Sequence, residues 1–319
     1  MLLAILVLVA CAGSDPVAAP GAPDGEDTPP PASFVAVPFV SAHRGGAAYA
    51  PENTMLAYRN AARLGVDDFE TDMLLTADGV AVLIHDDTLD RTTDCSGNVA
   101  DKTYAEILGC DAAYWWSPGQ ATTSPDAARA HPLRGRGVTV PTAAELFAFA
   151  AGFQGAYAPT VTIEIKIAPA DPLGATAAAA LVELIHASGI ADRIIVQSFN
   201  PLAIDSVKRL DASIKTLYLT PSGAYLSLAY AIAGGHDYVA PSFDSPDLDA
   251  AFVTAAHAAG KLVEPWTADR EADIRTLIEL GVDGIITNYP GCLLAMQERL
   301  HTARLAPAEA GAVELEPCR

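Results

Sequence analysis

The amino-acid sequence predicts an α/β protein with the (β/α)8 architecture of a TIM barrel. From about Pro38 to His301, eight apolar, strand-like segments alternate with eight helix-like segments, a pattern typical of a parallel sheet with crossover helices. Several of the helices are followed by a glycine that can end them, for example Gly65, Gly189 and Gly281. This stretch of about 265 residues has the length of one barrel, and we assign residues 38–302 to it.

The predicted strands are short apolar runs in which β-branched and aromatic residues are frequent. They are Phe39–His43, Asp67–Glu70, Val161–Ile167, Arg193–Ser198, Lys215–Thr220, Asp237–Pro241, Lys261–Trp266 and Gly284–Thr287. The helices predicted between them are Thr54–Leu64, Ala143–Ala151, Thr176–Ser188, Leu202–Leu210, Tyr225–Ala233, Leu248–Ala259, Glu271–Leu280 and Cys292–Leu300. No short repeat of the solenoid kind runs through these segments, so the alternation itself indicates the barrel.

One segment departs from the alternation after the second strand. Met73–Thr76 and Val80–Ile84 are both strand-like, but only three residues join them. A parallel crossover needs a dozen residues or more, and the Asp-Gly pair in the link is a strong hairpin signal. We therefore predict that residues 71–141 form an antiparallel hairpin followed by an insertion at the barrel mouth, where insertions usually shape the substrate site.

Composition excludes two classes of protein. Hydrophobic residues make up 51% of the 319 residues and charged residues only 18%, which excludes a wholly disordered chain. The formal net charge of −20 is opposite to that of a nucleic-acid binder, because phosphate contacts need Lys and Arg. We therefore expect a small-molecule substrate and no nucleic acid, and the sequence indicates no protein partner.

The first residues resemble the signal peptide of a bacterial lipoprotein. Met1–Ala10 is an unbroken apolar run that would span about 15 Å as a helix, half of a bilayer, and so fits a secretory signal better than a membrane span. The next residue, Cys11, stands where a lipid would be attached, and residues 12–37 have the composition of a disordered tether. We expect an exported protein that is lipid-anchored to the bacterial membrane. The alternative is a chance apolar start with an ordinary cysteine.

Four further cysteines fit an exported protein. Their proximity in sequence suggests the disulfides Cys95–Cys110 and Cys292–Cys318, although four cysteines allow three pairings. The second pair would hold the C-terminal tail, residues 303–319, against the last helix. The alternative is four free buried thiols.

Three carboxylates lie at or near the ends of predicted strands. Glu70 and Asp72 are two residues apart and so share a face of an extended segment, and Glu164 ends a later strand. Convergent carboxylates suit a hard cation such as Ca²⁺ or Mg²⁺. The alternative is ordinary salt bridges, such as Glu164 with Lys166 or Glu70 with Arg44.

Two histidines also end strand-like segments. His43 begins the segment HRGG, and His85 begins HDD. A histidine pair can supply a general base and a general acid near neutral pH. Arg44 can contact phosphate oxygens in bidentate fashion, and we expect the two glycines after it to let the backbone approach a ligand.

The motifs together form a specific set. They occur in AHRGGAAYAPENTMLAY, FETDMLLTADGVAVLIHDDTLDRTTD, IEIK, VQSFN, PWTAD and GVDGIITNYP. With HRG, PENT, E-x-D followed by HD, and E-x-K in this order, the chain resembles the glycerophosphodiester phosphodiesterase family. The resemblance covers nearly all of Val40 to Pro290 and agrees with the predicted barrel.

The resemblance implies a role for each motif residue. His43 and His85 would be the acid/base pair, and one divalent metal, Ca²⁺ or Mg²⁺, would be held by Glu70, Asp72 and Glu164. The expected substrate-binding residues are Arg44 and Lys166 on the phosphate, Trp266 at the glycerol pocket, and Glu52. For Glu52 two roles remain open, ordering Arg44 or capping the helix that follows.

The chain departs from the family pattern at two positions. Cys95 stands where the family usually has a glycine, which fits the expected disulfide. Asp269 replaces the Asn or Arg often found after the Trp-Thr pair. We expect this departure to affect the specificity of the outer pocket and not the chemistry.

The implied activity is metal-dependent hydrolysis of glycerophosphodiesters to sn-glycerol 3-phosphate and an alcohol. A lysophospholipase D, which performs the same chemistry on a substrate that keeps one acyl chain, is the nearest alternative. A non-catalytic surface binding lipoprotein is the alternative from another class.

Overall fold

Eight parallel strands form the wall of the barrel in the computed structural model, which describes residues 37–299. The strands are β1 (Phe39–Ala42), β2 (Asp68–Leu75), β3 (Ala81–Leu83), β4 (Thr160–Ile165), β5 (Ile194–Ser198), β6 (Lys215–Thr220), β7 (Tyr238–Pro241), β8 (Leu262–Val263) and β9 (Gly284–Thr287). Apart from β3, they are joined in the order β8-β7-β6-β5-β4-β2-β1-β9, each parallel to its neighbour. The predicted fold class is thereby confirmed.

The seam between β8 and β9 is joined less regularly than the other strand pairs. The backbone N–H groups of Asp283 and Ile286 donate to the carbonyls of Val263 and Pro265 at 2.9 and 3.1 Å. The predicted strand Lys261–Trp266 was too long, since only Leu262–Val263 is regular and Trp266 forms an isolated bridge. A physical reason lies at Pro265, which has no N–H to offer to a ladder.

Eight helices surround the barrel, and a ninth, short helix lies in the insertion within the part of the chain described. They are α1 (Met55–Leu64), α2 (Tyr104–Ile107), α3 (Ala143–Ala151), α4 (Gly174–Ser188), α5 (Pro201–Leu210), α6 (Ala224–Gly234), α7 (Ala250–Ala258), α8 (Glu271–Leu280) and α9 (Pro290–Met296). The predicted helices Leu248–Ala259 and Cys292–Leu300 shift at their ends. The first of these starts later because Asp249 caps it, accepting from the N–H of Phe252 at 2.8 Å.

Helix ends are set by local hydrogen bonds. The Thr54 side chain accepts from the Ala57 N–H at the start of α1, and Gly65, with a φ of 82°, ends the same helix in the left-handed conformation that glycine adopts without strain. Thr142 and Glu145 form a capping box at the start of α3. These contacts fix where each helix leaves the barrel and so where each strand-to-helix loop lies.

Strand β2 shows how the barrel separates its apolar layer from its site. Phe69 is fully buried on the outer side, where its ring packs against Tyr58, Phe149 and Phe153 at centroid distances of 6.0, 5.9 and 6.4 Å. Because alternate residues of a strand point to opposite faces, its neighbour Glu70 is directed into the barrel. The apolar contacts therefore hold the strand that carries the polar residues.

The predicted hairpin and insertion are present after the second strand. β3 pairs antiparallel with the end of β2, with Met73 opposite Leu83. The insertion has its own apolar cluster, which contains Val82, Ile84, Leu89, Val99, Ile107 and Cys110. Buried Trp116 docks it on the barrel, because its indole N–H donates to the Ala47 carbonyl at 3.1 Å. The insertion is thus a packed cap over one side of the mouth.

Several sequence-based predictions concern residues outside the described range. These are the signal segment with Cys11, the tether except for Val37, residues 300–302 of the barrel assignment, and the tail 303–319 with Cys318. The structure does contain a disulfide between Cys95 and Cys110, whereas Cys292 lies in α9 and its predicted partner is outside. Between residues 37 and 299, no helix combines the length and apolar character that a bilayer crossing requires.

Removing the disulfide should destabilise the insertion. The bond joins residues 15 apart, and closing a loop of that size contributes about 3 kcal/mol through the entropy of the unfolded chain. The Cys95→Ser/Cys110→Ser variant should therefore lose about 2–4 kcal/mol of unfolding free energy and be cleaved faster by protease within the insertion. Denaturant unfolding measures the first effect, with Ser96→Ala at a neighbouring exposed position as control. Equal stability of both variants would contradict the expectation.

Candidate active site

The three predicted metal ligands converge inside the barrel. Glu70 and Asp72 of β2 and Glu164 of β4 are 1%, 1% and 6% exposed, and one oxygen of each lies within 4.8 Å of the others. The register of the two strands accounts for this, since Asp72 is paired directly with Glu164. Residues far apart in sequence thus form one acidic cluster.

Two cations lie against this cluster. The Lys166 Nζ is 2.9 Å from Glu164 Oε1 and 3.8 Å from Asp72 Oδ1. Arg44 contributes twice, because its Nε lies 3.3 Å from Asp72 Oδ2 and its backbone N–H donates to Glu70 Oε2 at 2.7 Å. The suggested Glu164–Lys166 salt bridge therefore exists, but it is part of a larger arrangement.

The carboxyl groups differ in their affinity for protons. Burial, together with the charge of Asp72, raises the pKa of Glu70 well above its usual range. Burial also raises the pKa of Glu164 to about 7, against the opposing effect of Lys166. For Asp72, burial is outweighed by Arg44 and other nearby cations, which hold its pKa below the usual range. The site therefore carries more carboxyl groups than its own cations neutralise.

These residues fit a divalent cation. A cation among the three carboxylates would offset the burial and, after it, the mutual repulsion that raise the pKa values of Glu70 and Glu164, and an all-oxygen donor set suits Ca²⁺ or Mg²⁺. Gln197 offers a further oxygen, since its Nε2 donates to Glu70 Oε1 at 2.7 Å while its buried Oε1 receives no hydrogen bond from the residues described.

His43 stands at the end of β1. Its Nδ1 lies 2.8 Å from Asn288 Oδ1, and the Asn288 amide in turn donates to Asp269 Oδ2 at 2.9 Å. Burial, and after it the charge of Arg44, lowers the pKa of His43 to about 3. The ring is therefore neutral near pH 7 and can accept a proton.

His85 lies just after β3 and also lines the pocket. Its Nδ1 lies 2.7 Å from Asp86 Oδ1, and its Nε2 lies 3.1 Å from Lys166 Nζ. The carboxylate and the ammonium group hold the imidazole at both nitrogens, so the ring has a defined orientation.

A chain of ion pairs connects the two sides of the site. Arg91 contacts both Asp86, at 2.6 Å, and Glu52, at 2.8 Å, and Glu52 contacts Arg44 at 2.8 Å. Although burial opposes it, the two arginines lower the pKa of Glu52 to about 2. Of the two roles left open for Glu52, the contacts favour ordering Arg44, because Thr54 caps α1.

The glycines after Arg44 have a different role from the one expected. A Cβ on Gly45 would lie 2.7 Å from the Ala57 Cβ, and one on Gly46 would lie 3.0 Å from Pro290 Cγ. Both have positive φ angles, and neither lines the pocket. They are therefore required by the turn and by close packing against α1 and α9, and the expectation of close ligand approach was wrong.

The predicted site residues line a single pocket of about 390 Å³, except for Glu52, which lies behind Arg44. One wall is apolar and consists of Phe199, Leu219, Trp266 and Ile286. Trp266 is fixed there because its indole N–H donates to the Ala240 carbonyl at 2.8 Å and its ring meets Phe199 edge to face at 5.1 Å.

Five supporting residues were missed by the sequence reasoning, namely Asn53, Asp86, Arg91, Gln197 and Asn288. Asn53 is an example, because its side-chain amide donates to Asp72 Oδ2 at 2.9 Å. Each lies inside a motif quoted above, such as PENT or TNYP. The motifs were therefore the available signal, but spacing along the chain does not tell which neighbour each side chain binds.

A barrel with two histidines, a carboxylate cluster and two cations at one mouth defines the class of phosphodiester hydrolases. The model of the glycerophosphoryl diester phosphodiesterase family matches residues 43–292. A glycerophosphodiester phosphodiesterase of Bacillus subtilis (strain 168) is 30% identical over 258 residues, which are 78% of this chain and 83% of that protein. One from Caldanaerobacter subterraneus subsp. tengcongensis is 33% identical, covering 80% of this chain and 96% of the relative.

Solved structures agree with this match. A phosphodiesterase of Oleispira antarctica, whose structure holds the product sn-glycerol-3-phosphate, superposes with a TM-score of 0.69 at 27% identity, over 82% of this chain and 97% of that one. The chain belongs to the glycerophosphoryl diester phosphodiesterase family and is an enzyme.

The raised carboxyl pKa values predict an unusual pH dependence of stability in the metal-free protein. Glu164 releases its proton at about pH 7 when folded but near pH 4.5 when unfolded. Between these values Glu164 binds more protons in the folded state, so this group makes the free energy of unfolding fall as the pH rises, opposite to the contribution of His43 below pH 6.5. Denaturant unfolding in chelator measures this slope. Glu164→Gln should reduce this slope, whereas Glu183→Gln, at an exposed position of α4, should leave the slope unchanged.

Added Ca²⁺ or Mg²⁺ provides the complementary measurement at pH 7.5. The cation should raise the thermal midpoint of the wild type and of Glu183→Gln, but much less that of Glu164→Gln, because binding to the folded state alone stabilises it. A stability that is flat over this pH range and unaffected by either cation would contradict the metal site.

Proposed function

We propose that this enzyme hydrolyses small glycerophosphodiesters to sn-glycerol 3-phosphate and an alcohol, with one divalent metal ion held by Glu70, Asp72 and Glu164. The observation that carries the proposal is the convergence of both histidines, the carboxylate cluster and two cations on one pocket. A bound Ca²⁺ or Mg²⁺ would supply neutralisation of the charge that grows on the phosphoryl oxygens.

Arg44 and Lys166 are placed to bind the phosphate. Both line the pocket, and both are anchored at their acidic partners, Asp72 and Glu164, at distances of 3.3 and 2.9 Å. Because these partners orient the two side chains in advance, the phosphate meets donors that need little rearrangement. Arg44 also keeps its contact with Glu52, which fixes its guanidinium from behind.

His43 is the proposed general base and His85 the proposed general acid. The lowered pKa of His43 leaves its ring unprotonated and able to take a proton from the nucleophile, which is water or the glycerol 2-hydroxyl of the substrate. His85 acts as an imidazolium, in which Asp86 accepts the Nδ1–H and the proton on Nε2 goes to the leaving alcohol, once the Lys166 ammonium, 3.1 Å from Nε2, has turned to the phosphate. Both rings line the pocket and come from different segments, after β1 and after β3, so one can act on the nucleophile and the other on the leaving group.

The shape of the pocket favours a small diester over a lysophospholipid. The pocket has an apolar wall of only four residues, Phe199, Trp266 and two aliphatic ones. The open groove beside it mixes charged Asp86, Asp87, Glu164 and Lys166 with apolar Ile167, Ala168, Pro169 and Phe199, so it is not the continuous apolar groove that an acyl chain requires. The product held by the Oleispira antarctica relative supports the glycerol 3-phosphate assignment.

Turnover of glycerophosphocholine tests the proposal. His43→Ala and His85→Ala should each lower kcat by about two to four orders of magnitude, because each removes a proton transfer, while the stabilisation by Ca²⁺ survives. His186→Ala is the matched control, since this exposed histidine pairs with Asp211 away from the site. Near wild-type turnover of either active-site variant would show that the residue has a structural and not a catalytic role. Absence of turnover in the wild type, with lysophosphatidylcholine hydrolysed instead, would replace the substrate assignment.

We further propose that the enzyme is exported and attached to the bacterial membrane through a lipid on Cys11. The apolar run before this cysteine and the Pro- and Ala-rich residues after it support the proposal. A random-coil tether of about 25 residues has an end-to-end distance of about 25–30 Å, which gives the barrel freedom to turn relative to the bilayer.

Replacing the lipidated cysteine should release the enzyme. Cys11→Ser should move from the membrane fraction to the soluble fraction and keep its kcat on glycerophosphocholine, because the barrel is unchanged. Ser14→Ala in the tether serves as control and should stay with the membrane. Mass spectrometry of the mature wild type should find a lipid on Cys11, and an unmodified residue there would contradict the anchor.

A further inference from the structure

We propose that Asp269 and Asn288 are positioning residues that hold His43 in the one tautomer able to act as a base. The inference rests on the proposed role of His43. It concerns two residues that do not line the pocket and therefore act through the histidine rather than on the substrate.

The carboxylate of Asp269 fixes the orientation of the Asn288 amide. Asp269 Oδ1 accepts from the backbone N–H of Asn288 at 3.0 Å, and Oδ2 accepts from its side-chain nitrogen at 2.9 Å. A carboxylate can only accept hydrogen bonds, so it must face the nitrogen of the amide and not the oxygen. The Asn288 oxygen is thereby directed away from Asp269 and toward His43, at 2.8 Å from Nδ1.

The amide oxygen in turn selects the tautomer of His43. An amide oxygen has no hydrogen to donate, so the contact is a hydrogen bond only when Nδ1 carries the proton. In the neutral ring the lone pair then resides on Nε2, across the ring from Asn288. Since His43 lines the pocket, this nitrogen is the one available to take a proton. With the other tautomer the ring would present an N–H and could not act as a base.

The barrel holds this pair at its closing seam. Asn288 follows β9, and His43 follows β1, which is paired with β9. Asp269 lies in the loop between β8 and α8. Asn288 is 4% exposed, and the Thr287 hydroxyl lies 3.4 Å from Asp269 Oδ1. Partly buried hydrogen bonds among these three loops at the strand ends restrict rotation of the amide, which is what a positioning role requires.

Exchanging the two side chains provides a sharp test. In Asp269→Asn, the new amide has one oxygen for the two donors of Asn288, so the Asn288 amide can turn, accept from the new nitrogen and direct a donor at His43 Nδ1, which favours the wrong tautomer. In Asn288→Asp, two carboxylates meet, and their repulsion moves the acceptor away from His43 Nδ1. In the double variant Asp269→Asn/Asn288→Asp, the amide at position 269 accepts from the backbone N–H and donates to the carboxylate at position 288. That carboxylate still accepts from His43 Nδ1, so the complete set of bonds returns.

We expect each single variant to lower kcat on glycerophosphocholine by about 10- to 100-fold with KM changed less than about 3-fold, because positioning acts on the proton transfer and not on phosphate binding. The double variant should recover kcat to within about 5-fold of the wild type. Thermal midpoints and Ca²⁺ stabilisation, measured in parallel, identify any variant whose loss comes from unfolding. Single variants with wild-type kcat, or a folded double variant no better than the worse single one, would overturn the positioning role.

A measurement on the wild type keeps the proposal testable even if the variants fold poorly. Nitrogen NMR of histidine-labelled protein distinguishes the two ring nitrogens by their protonation, and the signals lost in His43→Ala belong to His43. At pH 7 Nδ1 should be protonated and Nε2 not, and the opposite tautomer would refute the proposal. Full activity of His43→Ala would instead refute the role of His43 itself, so failure of the two proposals is distinguishable.

Discussion

Asp72 keeps its charge at 1% exposure because two cations, Arg44 and Lys166, lie 3.3 and 3.8 Å from its oxygens and the Asn53 amide donates to it at 2.9 Å. An ionised carboxylate without such partners would not survive burial in an apolar barrel. Every other polar feature of the mouth is arranged around this contact. Arg44 has to reach inward from the turn after β1, and that requirement in turn demands the left-handed turn at residues 44–46.

The same constraint extends outward through alternating charges. Glu52 balances Arg44 and Arg91, and Arg91 balances Asp86, which holds His85. A charge placed anywhere in this series has a partner on each side, so none is buried alone. The series also joins Arg44, in the turn after β1, to His85, in the segment after β3. It thereby couples the orientation of the phosphate-binding arginine to that of the second histidine.

The insertion completes the mouth by packing as well as by charge. Trp116 is fully buried, and its indole N–H donates a hydrogen bond to the loop after β1. Tyr289, which follows β9, donates its hydroxyl to the Gly119 carbonyl of the insertion at 2.9 Å. The insertion is thus tied to the two strand ends that carry His43 and Asn288. Its own apolar cluster and the disulfide between Cys95 and Cys110 give it a rigid body from which Asp86 and Arg91 can reach the site.

The sequence alone was sufficient for the barrel, the hairpin and the titratable residues that line the pocket. Strand and helix periodicity depends on neighbours in sequence, and the Asp-Gly link of the hairpin is a local signal. The residues of HRG, E-x-D and E-x-K lie at strand ends, which a parallel barrel brings to one face. These features could be predicted because each follows from a few consecutive residues.

Only the tertiary structure decided how the polar groups are paired. Nothing in the chain order indicates that Asn288 meets His43 across 245 positions, or that Arg91 meets Glu52 across 39. Such pairs depend on strand register and on rotamers chosen to satisfy all buried charges at once. The ligand role expected of the two glycines failed because close packing against Ala57 and Pro290 is visible only in the tertiary structure, whereas the predicted strand through Trp266 failed for a local reason, the missing N–H of Pro265. Local patterns specify which residues are near the mouth, whereas the balance of buried charge and close packing determines what each of them does there.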